Sequence, residues 1–262
     1  ISPYFNANPK KYISALVSED CWQATPGKVV DLVRNLGIAA GGTVMEDCRV
    51  LEACREGKYT SVLVQTHDKK YVEYRTEHFV NALGSGAGKL CDSMGIDAGL
   101  YPVRHQAFIP RRLPMLGKHG TNLDMLIDRQ DYKGFSAVYG QQIAYTGQII
   151  GCASPKLDAM RIDKNLKVNT KAFLEIVSEM FSEWIPDLAG VGIQAVWAGY
   201  YTEPRYIVDP ELGLFVGMRG HGFMLSQYIA RMYVDKLLGR PVPEYFEKLK
   251  LNGPGLSEKA FK

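Results

Sequence analysis

Two stretches of the 262-residue chain combine an apolar run, a cluster of glycines and a helix-compatible segment. The first is Phe79-Val80-Asn81-Ala82-Leu83-Gly84-Ser85-Gly86-Ala87-Gly88, and the second runs from Leu214 to Leu225 with Gly217, Gly220 and Gly222 in its turn. Glycine lets the backbone turn sharply and lets a ligand approach where a Cβ would collide. A helix that starts directly afterwards offers unpaired N–H groups to an anion. Neither stretch is G-x-G-x-x-G. After Gly84 and Gly86 the third glycine would fall on Lys89, and the second turn is spaced G-x-x-G-x-G. One such turn is often purely structural. Two in one chain point towards a phosphate or dinucleotide ligand.

The elements that must carry these turns follow from periodicity. Pro26 to Leu36 reads as an amphipathic helix ended by Gly37. Thr43 to Val50 and Lys58 to His67 read as strands, with a polar turn at Asp68-Lys69-Lys70. His78 to Leu83 reads as a short strand leading into a helix that reaches Met94. Gly99–Ile109, Asp124–Asp128, Phe135–Tyr139, Gln148–Ala153, Gln194–Tyr201 and Gly213–Val216 are strand-like. Asn169 to Trp184 is the strongest amphipathic helix, and Phe223 to Leu238 is another. Helices flanking a strand-rich middle define an α/β or α+β protein.

Composition narrows the class. Apolar residues are 46% and charged residues 23%, globular proportions that exclude disordered and fibrous chains. Thirty-one Lys and Arg against 28 Asp and Glu leave a net charge of +3, too small a surplus for a nucleic-acid binder. No apolar run reaches the roughly 18–20 residues of a membrane helix. The five cysteines show no C-x-x-C spacing, so zinc and dithiol redox chemistry are not indicated, and small buried thiols in a reducing compartment are expected. No signal peptide opens the chain, so the expected location is cytoplasmic. His67, His78 and His119 lack metal-ligand spacing.

Four segments together resemble FAD-dependent amine and amino-acid oxidoreductases of the D-amino-acid oxidase, glycine oxidase and sarcosine oxidase group. Val80-Asn81-Ala82-Leu83-Gly84 through Leu90 is similar to that family's V-N-A-x-G segment, and Pro102-Val103-Arg104-His105-Gln106 to its P-V-R-x-Q strand. Trp197-Ala198-Gly199 resembles its W-A-G strand, and Asp209-Pro210-Glu211 through Leu225-Ser226 its closing G-H-G-F segment. The resemblance implies a two-domain flavoprotein. Residues 1–98 and 199–262 would be the remainder of a discontinuous FAD-binding domain, and 99–198 a β-rich substrate domain. It implies oxidation of the C–N bond of a small amine or amino acid of the sarcosine, glycine or proline type, by hydride transfer to flavin N5 and hydrolysis of the imine. The family's opening βαβ unit with G-x-G-x-x-G is absent from this sequence. A truncated gene, a separate chain that supplies the unit, or a preceding segment would each account for that. The expectation is that this polypeptide alone binds FAD weakly or not at all.

The resemblance also assigns residues. Ala82, Gly84 and Gly86 would lie near the adenosine and pyrophosphate half of FAD. Gly217, Gly220, His221, Gly222, Phe223, Met224 and Leu225 would face the flavin ring, with His221 either shaping the turn or touching the ring. Tyr201 is the expected active-site aromatic beside Tyr200, and Arg205 is a candidate cation for a substrate carboxylate. Arg104 and Gln106, on one face of their strand by alternation, together with Tyr139 and Gln141, are candidate substrate contacts. Gly199 stands where some sarcosine oxidases carry the flavin-linking Cys, so FAD would be non-covalent. Met224 replaces a Lys that sits beside the substrate carboxylate in such oxidases, so the carboxylate would be recognised elsewhere or the substrate would differ.

Overall fold

The computed structural model describes residues 5–6, 10, 12, 14–117, 123–130, 135–144, 146–155 and 170–255; His119 lies outside them. The chain divides into two compact units, one of Ile1–Gln23 with Arg104–Tyr200 and one of Ala24–Val103 with Tyr201–Lys262. The sequence grouped residues 1–23 with 24–98, but side-chain bonding ties part of this segment to the middle of the chain. Trp184 Nε1 donates to the Tyr12 hydroxyl (2.9 Å), which donates to Asp128 Oδ2 (2.7 Å).

The middle unit holds a five-stranded sheet ordered β5-β6-β7-β4-β8: β4 is Tyr101–Pro110, β5 Leu126–Asp128, β6 Phe135–Gln142, β7 Ile149–Pro155 and β8 Ile193–Glu203. Helix α3, Thr170–Trp184, lays Phe173, Val177, Met180, Phe181 and Trp184 into a core with Phe108, Val138 and Ile149. Two glycines admit this helix. A Cβ on Gly140 would lie 2.5 Å from Phe181 Cε1, and one on Gly151 would lie 2.8 Å from Phe181 Cζ.

In the other unit, helix α1 spans Pro26–Ala39, starting after extended Thr25 with Pro26 in its first turn. It runs through Gly37 rather than stopping there. The break falls at Gly41, whose φ of +92° leaves the helix. None of its residues is buried. Strands β1 (Arg49–Glu56), β2 (Tyr59–Gln65) and β3 (Tyr71–Thr76) form an antiparallel meander. The extended run expected from Thr43 begins only at Arg49, because Asp47 adopts a φ of +52°. Asp68-Lys69-Lys70 forms the expected turn, with Thr66 N bonded to Lys70 O at 2.9 Å.

Helix α2 (Ala87–Ser93) follows a 3-10 turn at Gly84–Gly86 and packs Leu90 against Ala53, Val62 and Val64. Segment His78–Leu83 is not the expected strand. It makes a single parallel bridge, Asn81 to Leu214, because the hairpin it joins is only three residues a side. That hairpin pairs β9 (Ile207–Asp209) with β10 (Leu214–Val216); β10 lies in the expected Gly213–Val216 strand, and β9 escaped periodicity by its brevity. Helix α4, Gly222–Leu237, buries Ile229, Met232 and Tyr233 against Val208, Phe246 and Leu249. Phe246 is fully buried, and burying a side chain of that kind contributes about 1.5–3 kcal/mol.

Candidate functional site

The second glycine junction is built by three segments of one unit: the end of β8, the loop after it, and the turn that opens α4. β10 ends at Val216, and Gly217 follows with φ +70°; a Cβ there would lie 1.9 Å from the Arg205 carbonyl oxygen. Both facts require glycine. Arg219 then takes a φ of +49° at the start of a 3-10 turn, Arg219–His221. A Cβ on Gly220 would lie 2.5 Å from Tyr201 Cε2, so the Tyr201 ring lies against the backbone of the turn.

Side chains lock this arrangement. Arg219 Nε donates to Glu203 Oε2 at 2.6 Å, with both side chains largely shielded (23% and 16% exposed). Tyr206 Oη and His221 Nδ1 share a hydrogen bond of 2.6 Å. Burial pushes the Glu203 carboxyl above its usual range, against the pull of Arg219. Burial also raises the Tyr206 hydroxyl. His221 precedes the 16-residue α4, and no side chain caps its N-terminus. The first-turn N–H groups of α4 are therefore donors without an intrahelical partner, at the positive end of the helix dipole.

Arg205 is engaged differently from its expected role. Its guanidinium donates to the carbonyl oxygens of Gly253 (2.9 Å) and Leu251, tying the C-terminal segment to the loop after β8. Phe223 and Met224 are exposed, and Phe223 lines an apolar groove with Val29, Val30 and Val33 of α1.

The first junction is more open. Asn81 is buried, and its Nδ2 donates to Ala87 O (3.1 Å) while its Oδ1 accepts from Leu83 N (3.2 Å). Gly84 has a φ of +54°, but a Cβ there would meet nothing within 4 Å, so conformation and not crowding requires glycine. Ala82 and Gly84 are exposed, and Gly86 is half-buried.

The remaining candidates lie in the other unit and do not form one face. Register places Gln106 beside Ala153 and Val138, and Phe108 beside Gly151 and Gly140, on the side covered by α3. With a period of two, Arg104 shares that side. Tyr139 aligns with Cys152 and Ala107, and Gln141 with Ile150, on the opposite side. The side of the sheet that includes Tyr139 and Gln141 therefore takes His105 from β4 and not Gln106, and both of these are buried. Tyr200 and Tyr201, adjacent on β8, point to alternate faces.

Glu203, Tyr206 and Arg219 are not singled out by the sequence. The signal for Glu203 was its spacing of two from Tyr201 on a strand, which puts both on one face. Among the described residues there is no cluster able to hold a metal ion, and no helix is long and apolar enough to cross a membrane.

The model of the FAD dependent oxidoreductase family matches residues 2–236. No curated protein matches the sequence. Among solved structures, the chain resembles L-proline dehydrogenase from P. horikoshii, with a TM-score of 0.66 and 24% identity over 86% of this chain and 59% of that one. Iminodiacetate oxidase from Chelativorans sp. BNC1 gives a TM-score of 0.64 at 15% identity, covering 87% of this chain and 58% of that one. Glycine oxidase from Geobacillus kaustophilus gives 0.60 at 18%, covering 82% and 54%. At these identities the likeness is one of fold. The chain spans somewhat over half the length of these structures.

Proposed function

The chain belongs to the FAD dependent oxidoreductase family, and from that premise we propose that it oxidises the C–N bond of a small amine or amino acid. The observation that carries this reading is the uncapped N-terminus of α4 behind the Gly217–Gly222 turn, with Tyr201 packed on Gly220. Donors fixed in this way fit the electron-rich edge of a bound flavin ring. When bound, FAD supplies the two-electron acceptor for hydride leaving the carbon beside nitrogen.

The chain's own residues position and polarise. N–H groups of Phe223, Met224 and Leu225 would hold the ring edge, and His221, fixed by Tyr206, keeps the turn in place. Ala82, Gly84 and Gly86 would lie along the adenosine and pyrophosphate half. Tyr201 would flank the substrate. The unit of Ala24–Val103 and Tyr201–Lys262 would be the flavin-holding part, and the other unit the substrate part. With Gly199 in β8, the cofactor would be non-covalent. Five free cysteines fit a reducing, cytoplasmic location. Proline, glycine and iminodiacetate, the compounds in the names of the matched structures, are the first substrates to try.

The test is anaerobic addition of proline, sarcosine, glycine or iminodiacetate to the full chain after incubation with FAD. Bleaching of a bound flavin band supports the reading, and oxygen uptake against dye reduction separates oxidase from dehydrogenase. A flavin-bound protein that none of these or larger amino acids reduces would sink it.

A second reading has its own observation. Every residue of α1 is unburied, and Val30, Leu32, Val33 and Leu36 are 50–61% exposed. An isolated 14-residue helix is marginal in water, so an apolar face of this kind calls for cover. In this reading the FAD site is completed by a dinucleotide-binding unit that covers α1, carried by another chain or another segment. Stoichiometric FAD in the purified single chain would contradict it. Flavin binding that appears only when such a unit is added would support it.

A further inference from the structure

The end of β8 and the loop after it grip the turn before α4 at three points. Glu203 accepts from Arg219 Nε at 2.6 Å, and Tyr206 Oη shares a 2.6 Å hydrogen bond with His221 Nδ1. The third point is backbone: a Cβ on Gly217 would run into the Arg205 carbonyl oxygen and would stand 3.0 Å from its carbonyl carbon. The loop is itself held. The Arg205 guanidinium donates to the carbonyl oxygens of Leu251 and Gly253, 46 and 48 residues on. One residue therefore touches the turn with its peptide and the C-terminal segment with its side chain.

That segment is fixed independently of Arg205. Leu251 packs against the core that contains Ile207, Leu214 and Val216. Lys250 Nζ pairs with Glu211 Oε1 (2.8 Å) and Glu247 Oε2 (3.0 Å). A Cβ on Gly253 would lie 2.7 Å from the carbonyl oxygens of Glu247 and Lys248, so glycine lets the segment close down on the 3-10 helix Glu244–Leu249. Resting on the proposed reading of the site, we propose that Arg205 is a positioning residue for the cofactor. It clasps the segment Leu251–Gly253 to the Gly217–Gly222 turn, and the seating of that segment sets how firmly the turn is held for flavin. The turn needs such holding. Arg219 has a φ of +49°, and a left-handed backbone at a residue with a Cβ persists only where its surroundings fix it. Donors fixed before the ligand arrives also save the cost of ordering them on binding. The clasp acts on the backbone that faces flavin and supplies no contact to the substrate. Its far end lies beyond residues 2–236, the stretch that the family model matches.

The experiment follows amide hydrogen exchange in the full chain without cofactor, in which local opening is read segment by segment. Arg205→Gln should speed exchange in the Gly217–Leu225 peptides by about tenfold, the ratio that one charge-assisted hydrogen bond supports. Peptides of β1, β2 and β3, in the same unit, should be unchanged. Arg205→Lys, which keeps a charged donor, should recover part of the protection. Gly253→Ala unseats the segment and leaves Arg205 in place; it should loosen the same peptides, and it should add nothing to Arg205→Gln, because both break one link. FAD titrated into these proteins and read on the flavin absorbance band should bind about tenfold more weakly wherever the turn is loosened. An unchanged turn, an equal rise in β1–β3, or additive effects of the two substitutions overturns the clasp. A loosened turn with wild-type flavin affinity overturns its role for the cofactor. If no form of the chain binds flavin, the proposed function is at fault, and the exchange data by themselves support or overturn the clasp.

Discussion

The ring of Tyr201 rests on the peptide backbone of Gly220, close enough that a Cβ on Gly220 would lie 2.5 Å from Cε2 and 3.0 Å from Cζ. The contact joins the end of β8 to the start of α4 with no side chain between them, and it fixes how near an aromatic ring can come to the donors of the turn.

Gly220→Ala must therefore move either the ring or the turn. Overpacking of this kind costs about 1–3 kcal/mol. Urea denaturation of the variant should show that loss, and flavin affinity should fall with it. Unchanged stability and unchanged flavin binding would show that the contact is dispensable.

Arg205→Gln tests a cation whose bonds are all structural in this account. Hydrogen bonds from a charged group to carbonyls contribute about 1.5–3 kcal/mol. The melting temperature should drop, and the segment carrying Leu251 and Gly253 should become sensitive to protease. Titrations of the FAD-loaded chain with 2-furoate and its amide, read on the flavin absorbance band, should be the same as for the wild type; a selective loss of furoate binding would return Arg205 to the substrate.

Glu203 gives a pH signature. Burial holds its carboxyl above the ordinary value of 4.5. A raised acid binds its proton more tightly folded than unfolded, so its contribution to stability is fully present below 4.5 and is lost as pH rises through the folded value. Glu203→Gln removes this titration and keeps an oxygen for Arg219. Wild-type stability relative to the variant should fall as pH rises above 4.5, as read by urea titrations at several pH values. A relative stability that rises over that range would mean that Arg219 outweighs burial.

Tyr233 carries a buried hydroxyl with no hydrogen-bond partner among the described residues. Burial, reinforced by Asp209, pushes its ionisation up to about 12. An unsatisfied buried hydroxyl is a cost, so Tyr233→Phe should be neutral or stabilising by about 1 kcal/mol. A clear loss of stability in thermal or urea unfolding would reveal a partner for the hydroxyl.

The sequence by itself determined the elements with long periodic signals and the places where the chain must turn. α3 and α4 were legible because their apolar positions recur over four turns, and the two glycine junctions because no other residue adopts their backbone freely. The order of Asn81-Ala82, Pro102-Val103-Arg104, Trp197-Ala198-Gly199 and Gly220-His221-Gly222 carried the family. Where the signal was short or depended on a partner, it failed: His78–Leu83 became one bridge and Ile207–Asp209 went unseen. Only the tertiary structure decided what each charge does. Arg205 meets carbonyls 46 and 48 residues away, and Arg219 meets a carboxylate 16 residues away. Likewise, only strand register put Gln106 and Tyr139 on opposite sides of one sheet. Periodicity reports which residues share a face of one element. Which face meets which partner is set by contacts distant in sequence, and those exist only once the chain has folded.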